Sequence, residues 1–306
     1  MKPLLVVNPH SGGGKTGRLA TQLQETASRA LGDVEMVLTE RAGHGTELAH
    51  EGALAGHPLI VAVGGDGTVH EVANGILQSK REVELGILGQ GTGGDFRKSL
   101  GLEHRVDRYL EAIASGRTRT VDVGRFTGGT RTDHHFVNIL SAGMGGLVDR
   151  YVAEANRSFG GKAAYFGASL KALVASRLGH VRCTLTTREG SVEEHLLRSY
   201  MIAICNGQYF GGGMHVAPMA SVDDATFELV ALGATSKLGF ALTSSSIYSG
   251  AHLKQAGTVH LRGTKIKLEL MNPDACEGFL RDVDGESMGQ LPLAVECVPN
   301  ALVVRA

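Results

Sequence analysis

With 306 residues, 42% of them hydrophobic and 20% charged, the chain is long enough to bury a full core and is expected to divide into two domains. A formal net charge of −1 supplies no global field that would draw it to nucleic acid or an acidic membrane, which argues against nucleic acid as a partner. Cys183, Cys205, Cys276 and Cys297 show no short paired spacing, which points away from a zinc knuckle or a disulfide framework and toward a reducing compartment.

At the N-terminus the apolar run Leu4 to Val7 ends at Asn8-Pro9, too short for a signal peptide or a membrane span. A cytoplasmic location and no transmembrane segment are therefore expected. Leu4 to Val7 reads as a buried strand, followed by a glycine loop and a helical spacing through Leu19, Leu23, Ala27 and Leu31. The alternation continues with a strand at Val34 to Thr39, a helix near Thr46 to Ala55, a strand at Leu59 to Val63, a helix from Val69 to Leu77 and a strand at Leu85 to Leu88. Such βα units imply a doubly wound, Rossmann-like parallel sheet, with ligands at the carboxyl ends of its strands.

After about residue 120 short strands follow in quick succession: Thr120 to Phe126, Phe136 to Ser141, Arg182 to Thr187, Tyr200 to Cys205, Thr226 to Leu232, Thr258 to Leu261 and Lys265 to Leu270. This spacing predicts an antiparallel β-sandwich, interrupted by helices at Ala163 to Ser176 and Lys237 to Tyr248. Two last strands, Leu293 to Val298 and Ala301 to Val304, are expected to return to the first domain. The expected division is a nucleotide-binding α/β domain over residues 1–124, rejoined by 293–306, and a β-sandwich domain over 125–292.

The most telling stretch is Gly64-Gly65-Asp66-Gly67-Thr68 at the end of an apolar strand. Glycines there let backbone N–H groups approach an anion with no Cβ in the way. Asp66 at the centre is a charge that phosphate would repel, unless a metal ion or a proton transfer accounts for it. Gly89-Gln90-Gly91-Thr92-Gly93-Gly94-Asp95-Phe96 is a second such loop, which alone reads rather as a tight turn capping a helix with Asp95, but beside the Asp66 loop would complete one nucleotide pocket.

Other matches carry less. Gly12, Gly14 and Gly17, with Glu40 after the next strand, satisfy the dinucleotide spacing, and Gly14-Lys15-Thr16 imitates a P-loop whose first glycine position is Pro9 instead. Gly285-Glu286-Ser287-Met288-Gly289 has nucleophile-elbow spacing, but no His or Asp follows Ser287 to complete a triad. His134-His135 read as loop residues rather than metal ligands.

Taken in order, Asn8-Pro9-His10-Ser11-Gly12-Gly13-Gly14-Lys15, the Asp66 loop with Glu71-Val72 and Asn74-Gly75, and Gly91-Thr92-Gly93-Gly94-Asp95-Phe96 resemble the diacylglycerol kinase catalytic domain. The likeness runs on through Val121-Asp122-Val123-Gly124, Phe136-Val137-Asn138, Cys205-Asn206-Gly207, Asp223-Asp224 and Asp284-Gly285-Glu286. The chain is similar to the bacterial soluble lipid kinases of the diacylglycerol, sphingosine and ceramide kinase superfamily, related to the NAD kinases.

This resemblance implies an ATP- and Mg²⁺-dependent kinase that phosphorylates a hydroxyl of diacylglycerol or a related lipid, met through peripheral contact at the inner membrane face. It places ATP contacts on Asn8, Pro9, His10, Ser11, Gly12, Thr39, Gly64, Gly65, Asp66, Gly67, Thr68, Val69, His70, Glu71, Gly91 and Thr92. It places a structural Mg²⁺ on Asp224, Ser221 and Thr226, puts Asp122 in the acidic network around the phosphates, and matches Glu286 to the acid usually assigned as general base. A lipid hydroxyl needs a carboxylate to accept its proton, and Glu286 and Asp66 both qualify; a carboxylate committed to a metal cannot take that proton, so Glu286 is assigned as base and Asp66 to the Mg²⁺ and phosphate network. Homodimerisation is compatible with the class.

Phe159, Tyr165, Phe166, Leu170 and Leu173 could admit an acyl chain, although such a face more often packs as core. The chain departs from the family pattern at Gly94, where Asn is usual, at His70, at Ala225, usually Gly, and at Leu147, often an acid. Two alternatives stay open: a kinase for a soluble hydroxyl acceptor, like the NAD kinases, and a nucleotide or lipid sensor without catalysis.

Overall fold

The computed structural model describes residues 2–91, 93–127, 134–154, 168, 171–233, 236–237, 239–240 and 245–306. Its contacts divide the chain into two compact units, one of Met1–Val123, Val222–Asp224 and Val298–Ala306, the other of Gly124–Ser221 and Ala225–Cys297.

In the first unit the chain runs β1 (Leu4–Val7), α1 (Lys15–Arg18), α2 (Ala20–Leu31), β2 (Glu35–Leu38), α3 (His44–Ala55), β3 (Leu59–Gly64), α4 (Asp66–Ser79), β4 (Glu84–Gly89), α5 (Asp95–Ser99), α6 (Val106–Ala114) and β5 (Thr118–Thr127). The sheet order β2-β1-β3-β4 is parallel throughout, and β4 pairs in parallel with Val303 and Val304 near the end of the chain. Every residue of β1 and β3 is buried, because helices cover both faces of a parallel sheet: α3 packs on α4, and α2 on α6. The doubly wound domain read from the sequence is therefore present. The sequence reading passes over α6, although its Tyr109, Leu110 and Ile113 are spaced to bury one face.

The second unit holds β6 (His134–Phe136), β7 (Ile139–Gly143), α7 (Met144–Glu154), β8 (Gly179–Thr186), β9 (Val192–Ser199), β10 (Met201–Cys205), β11 (Tyr209–Phe210), β12 (Met214–His215), β13 (Phe227–Leu232), β14 (Thr258–Gly263), β15 (Lys265–Leu270), β16 (Leu280–Val283) and β17 (Glu286–Gln290). One antiparallel sheet has the order β14-β13-β10-β7-β16-β17. Against it stand β9, β8 and β15, the last paired with the Leu293–Glu296 part of β18 (Leu293–Arg305). Between the two sheets lies a core that includes Phe136, Leu140, Val181, Cys183, Ile202, Phe227, Leu229, Ile266, Leu268 and Val283. This is the expected antiparallel sandwich.

Some expectations need correction. The two predicted C-terminal strands are one, β18, with Pro299 and Asn300 within it; both are exposed, so the missing proline N–H leaves no buried gap in a ladder. Of the helix predicted over Ala163 to Ser176, residues 171–175 are helical and most of the rest lies outside the described residues, as do Phe159, Tyr165, Phe166 and Leu170. Part of the predicted Lys237 to Tyr248 helix also lies outside them, and Ser245–Ser249 forms a 3-10 turn. Among the described residues, no helix is long and apolar enough to cross a membrane.

Candidate active site

Parallel pairing fixes where the loops of the first unit begin. Val7 stands level with Leu38 on one side and Val63 on the other, and Val63 stands level with Leu88. Asn8, Thr39, Gly64 and Gly89 thus mark one carboxyl edge of the sheet, the edge where open α/β sheets hold their ligands.

Cross-links tie the loops at this edge together. Asn8 accepts the His10 amide (3.0 Å) and donates its side-chain N–H to the Thr68 hydroxyl (3.3 Å), while the Ser11 hydroxyl accepts the Gly65 amide (3.2 Å). The Gln90 amide donates to the Gly64 carbonyl at 2.7 Å. A Cβ on Gly12 would stand 2.8 Å from the Gln90 carbonyl oxygen, and one on Gly91 would stand 2.8 Å from the Gly65 Cα. Only bare backbone fits at those crossings. Side-chain Nε2 of Gln90 is closed off from solvent and has no hydrogen-bond partner among the described residues.

The charge of Asp66 finds its account here. One carboxylate oxygen accepts the Gly94 amide (2.9 Å), and the other accepts those of Asp95 (2.9 Å) and Phe96 (3.3 Å). Sequence analysis sends Asp66 to the metal and phosphates; in the structure it caps α5 from the first turn of α4, because the cap residue Gly94 has no side chain to do so. Burial, and then the neighbouring Asp95 carboxylate, push its carboxyl above the ordinary carboxylate range, against the three amides that favour the charged form. Gly94 adopts φ +62°, a left-handed conformation that asparagine also tolerates, so this departure from the family pattern keeps the backbone.

Glu71 repeats the device. Its two oxygens accept the Gly43 amide (2.7 Å) and the Gly45 amide (2.8 Å), capping α3, whose N-cap Gly43 likewise lacks a side chain. Val69 and His70 are buried, and the Asn74 side chain donates to the His70 carbonyl at 3.0 Å. Glu71 thus caps a helix, and the Val69 and His70 side chains lie in the packing of α4. Thr39 is buried and its amide bonds the Val7 carbonyl, Pro9 and His10 lie in the first loop, Gly67 is in the first turn of α4, and Thr92 lies outside the described residues.

Asp122 is buried on β5, where its carboxylate accepts the Asn300 amide at 2.8 Å and its own amide bonds the Val222 carbonyl. Asp223 pairs with Arg119 at 2.9 Å. In the segment expected to bind Mg²⁺, Thr226 Oγ1 accepts from Arg262 Nε (2.9 Å), and Ala225 adopts φ +60°, a left-handed conformation that suits the glycine the resemblance leads one to expect there. The Asp224 carboxylate and the backbone carbonyls of Ser221 and Thr226 are the hard oxygen donors Mg²⁺ takes. Among the described residues no three His, Cys, Asp or Glu side chains gather as a metal cluster.

In the second unit, family motifs far apart in sequence meet around Asp284. Its carboxylate accepts the amides of Val137 (2.9 Å), Asn138 (3.0 Å) and Ile139 (3.0 Å). The Asn206 side chain donates to the Val137 carbonyl (2.7 Å), and Asn206 and Gly207 amides bond the Asn138 carbonyl. Val283 pairs with Glu286 across the two-residue turn Asp284-Gly285, whose φ values of +50° and +94° suit a type I′ hairpin. Glu286 therefore opens β17 directly after an anchored turn. The nucleophile-elbow spacing around Ser287 lies on this hairpin strand, with no helix after it. Sequence reasoning missed Asp284 as an anchor; the Asp284-Gly285 pair of a two-residue hairpin turn was the available signal.

Comparison with known proteins agrees with this architecture. The family profile described as "Diacylglycerol kinase catalytic domain" matches residues 2–126, and that described as "YegS C-terminal NAD kinase beta sandwich-like domain" matches residues 138–306. The chain is 25% identical to the diacylglycerol kinase of Bacillus subtilis (strain 168), over 94% of this chain and 90% of that protein. It is 27% identical to the "Probable lipid kinase YegS-like" protein of Yersinia enterocolitica, over 99% of this chain and 96% of that one. A solved diacylglycerol kinase from Bacillus anthracis str. Sterne shares the fold with a TM-score of 0.71 at 22% identity, covering 99% of this chain and 96% of that chain. The chain belongs to the family of diacylglycerol kinase-like and YegS-like lipid kinases, which are phosphotransferases.

Proposed function

We propose that the protein transfers the γ-phosphate of ATP to a hydroxyl of diacylglycerol or a related lipid, the first unit holding the nucleotide and the second the lipid. The observation that carries this reading is the convergence of the loops after β1, β3 and β4 on one sheet edge, where backbone crosses backbone and the Gln90 side-chain N–H is buried without an acceptor. A triphosphate oxygen is the acceptor such a donor lacks, and amides of Gly12, Gly13 and Gly67 can join it.

Glu286 accepts the proton of the lipid hydroxyl as that oxygen bonds to the γ-phosphorus and the bond to the β-phosphate oxygen breaks, releasing ADP. Asp66 holds the second glycine loop against the first, and Asp122 acts in the acidic network near the phosphates. Ser221, Asp224 and Thr226 would hold Mg²⁺, which when bound neutralises negative charge and orders the segment around it. The enzyme works in the cytoplasm, touching the membrane peripherally, and as a homodimer if the class is followed.

Incubation with labelled ATP, Mg²⁺ and a lipid extract, beside micellar diacylglycerol and NAD, tests this. Labelled phospholipid is expected, with turnover lost in Glu286→Gln while ATP binding persists. Phosphorylation of NAD alone, or ATP binding with no acceptor labelled, overturns the reading.

A further inference from the structure

Arg281 is 3% exposed, and its Nε and Nη1 are closed off from solvent with no hydrogen-bond partner. Arginine stays protonated in proteins, so this is a standing positive charge inside the second unit. Its obvious partners are taken. Asp282, the next residue along the strand, projects to the opposite face and accepts from the Ser141 hydroxyl (3.3 Å) and the Gly285 amide (2.8 Å). Asp284, the next acid, accepts the three amides of residues 137–139. Burial lowers the arginine's pKa, and no acid among the described residues raises it back.

The backbone opposite is also irregular. Leu280 pairs with Gln290 but Asp282 with Ser287, so Met288 and Gly289 both stand across from Arg281 in a β-bulge. Gly289 is exposed, has φ +83°, and a Cβ on it would stand 2.9 Å from Arg281 Nη2. The bulge thus sets a residue without a side chain against the guanidinium, at a point open to solvent.

We propose that Arg281 anchors an oxyanion subsite, in which a phosphate group enters past Gly289 and takes the guanidinium fork through Nε and Nη2. A planar fork with two parallel N–H donors matches phosphate bidentately, and the anion supplies the charge that no acid of the strand provides. The group could arrive as free phosphate or as the headgroup of an anionic phospholipid. The subsite stands apart from the ATP reading, since it concerns binding in the second unit alone.

The test uses the full chain without ATP and compares wild type with Arg281→Met and Arg281→Lys. Inorganic phosphate is titrated at constant ionic strength by calorimetry and thermal unfolding, and vesicles of phosphatidylcholine with and without phosphatidate are tested by sedimentation. Wild type is expected to gain a saturable phosphate-dependent rise in Tm, or a phosphatidate-dependent retention on vesicles, the first identifying a soluble ion and the second a headgroup. Affinity should fall at least tenfold in both variants, because lysine keeps the charge without the fork. Without phosphate, Arg281→Met should melt no lower than wild type, since it removes an unpaired buried charge. Equal phosphate and phosphatidate binding by wild type and the variants, or binding of neither by wild type, overturns the subsite.

Discussion

Asp66 and Glu71 stand five residues apart on α4 and cap two different helices, α5 and α3, each begun by a glycine that cannot cap itself. One helix therefore fixes the entry of two others beside the glycine loops. Acids are favoured at helix N-termini because they meet both orphan N–H groups and the positive end of the helix dipole.

Replacing Asp66 by Asn turns one acceptor oxygen into an amide that faces backbone donors. Asp66→Asn is expected to lose about 1–2 kcal/mol of stability and at least tenfold in phosphotransfer. Urea unfolding and turnover checked together decide it; a variant as stable and active as wild type removes Asp66 from the capping role.

The pH dependence of this residue has a definite sign. Its folded pKa lies above the unfolded value, so between the two the folded state binds more protons, and stability falls as pH rises through that window. Relative to Asp66→Asn, wild type should therefore gain stability as the pH is lowered from neutral into the window and hold that gain below the unfolded pKa. Unfolding curves at a series of pH values measure this; parallel profiles for the two proteins would contradict it.

Ala225 at φ +60° carries the cost of a left-handed conformation on an L-residue, roughly 1–2 kcal/mol, part of which glycine would give back in unfolded-state entropy. Ala225→Gly is expected to stabilise by about 0.5–1 kcal/mol, raising Tm. A lowered Tm would mean that the methyl group has contacts worth more than the turn strain.

Asp284→Asn keeps the shape of the side chain and removes the charge that three amides address. A loss of about 2–3 kcal/mol is expected. Hydrogen exchange should show the amides of Val137, Asn138 and Ile139 losing protection first; unchanged protection there would refute the anchor.

The fold was legible in the sequence where periodicity was strong. The buried runs of β1 and β3 and the glycine loops after them announced a parallel sheet and its ligand edge. Weak periodicity hid β9, an outer strand of mostly exposed residues that include Glu193, Glu194 and Arg198. Residue roles were harder to read than residue positions. Asp66, Glu71 and His70 sit in a motif that names a nucleotide site, yet which of their atoms are open depends on where glycines at 43 and 94 leave helices uncapped, a tertiary fact. Arg281 was invisible for a related reason: its lack of a partner depends on what the sheet has already done with Asp282 and Asp284.

The meeting of Gly91 with Gly65 leaves no rotatable group between two turns that follow adjacent strands. Flexible side chains absorb small displacements by changing rotamer; naked main chain has no such buffer. A shift of the turn after β3 therefore meets the turn after β4 main chain against main chain.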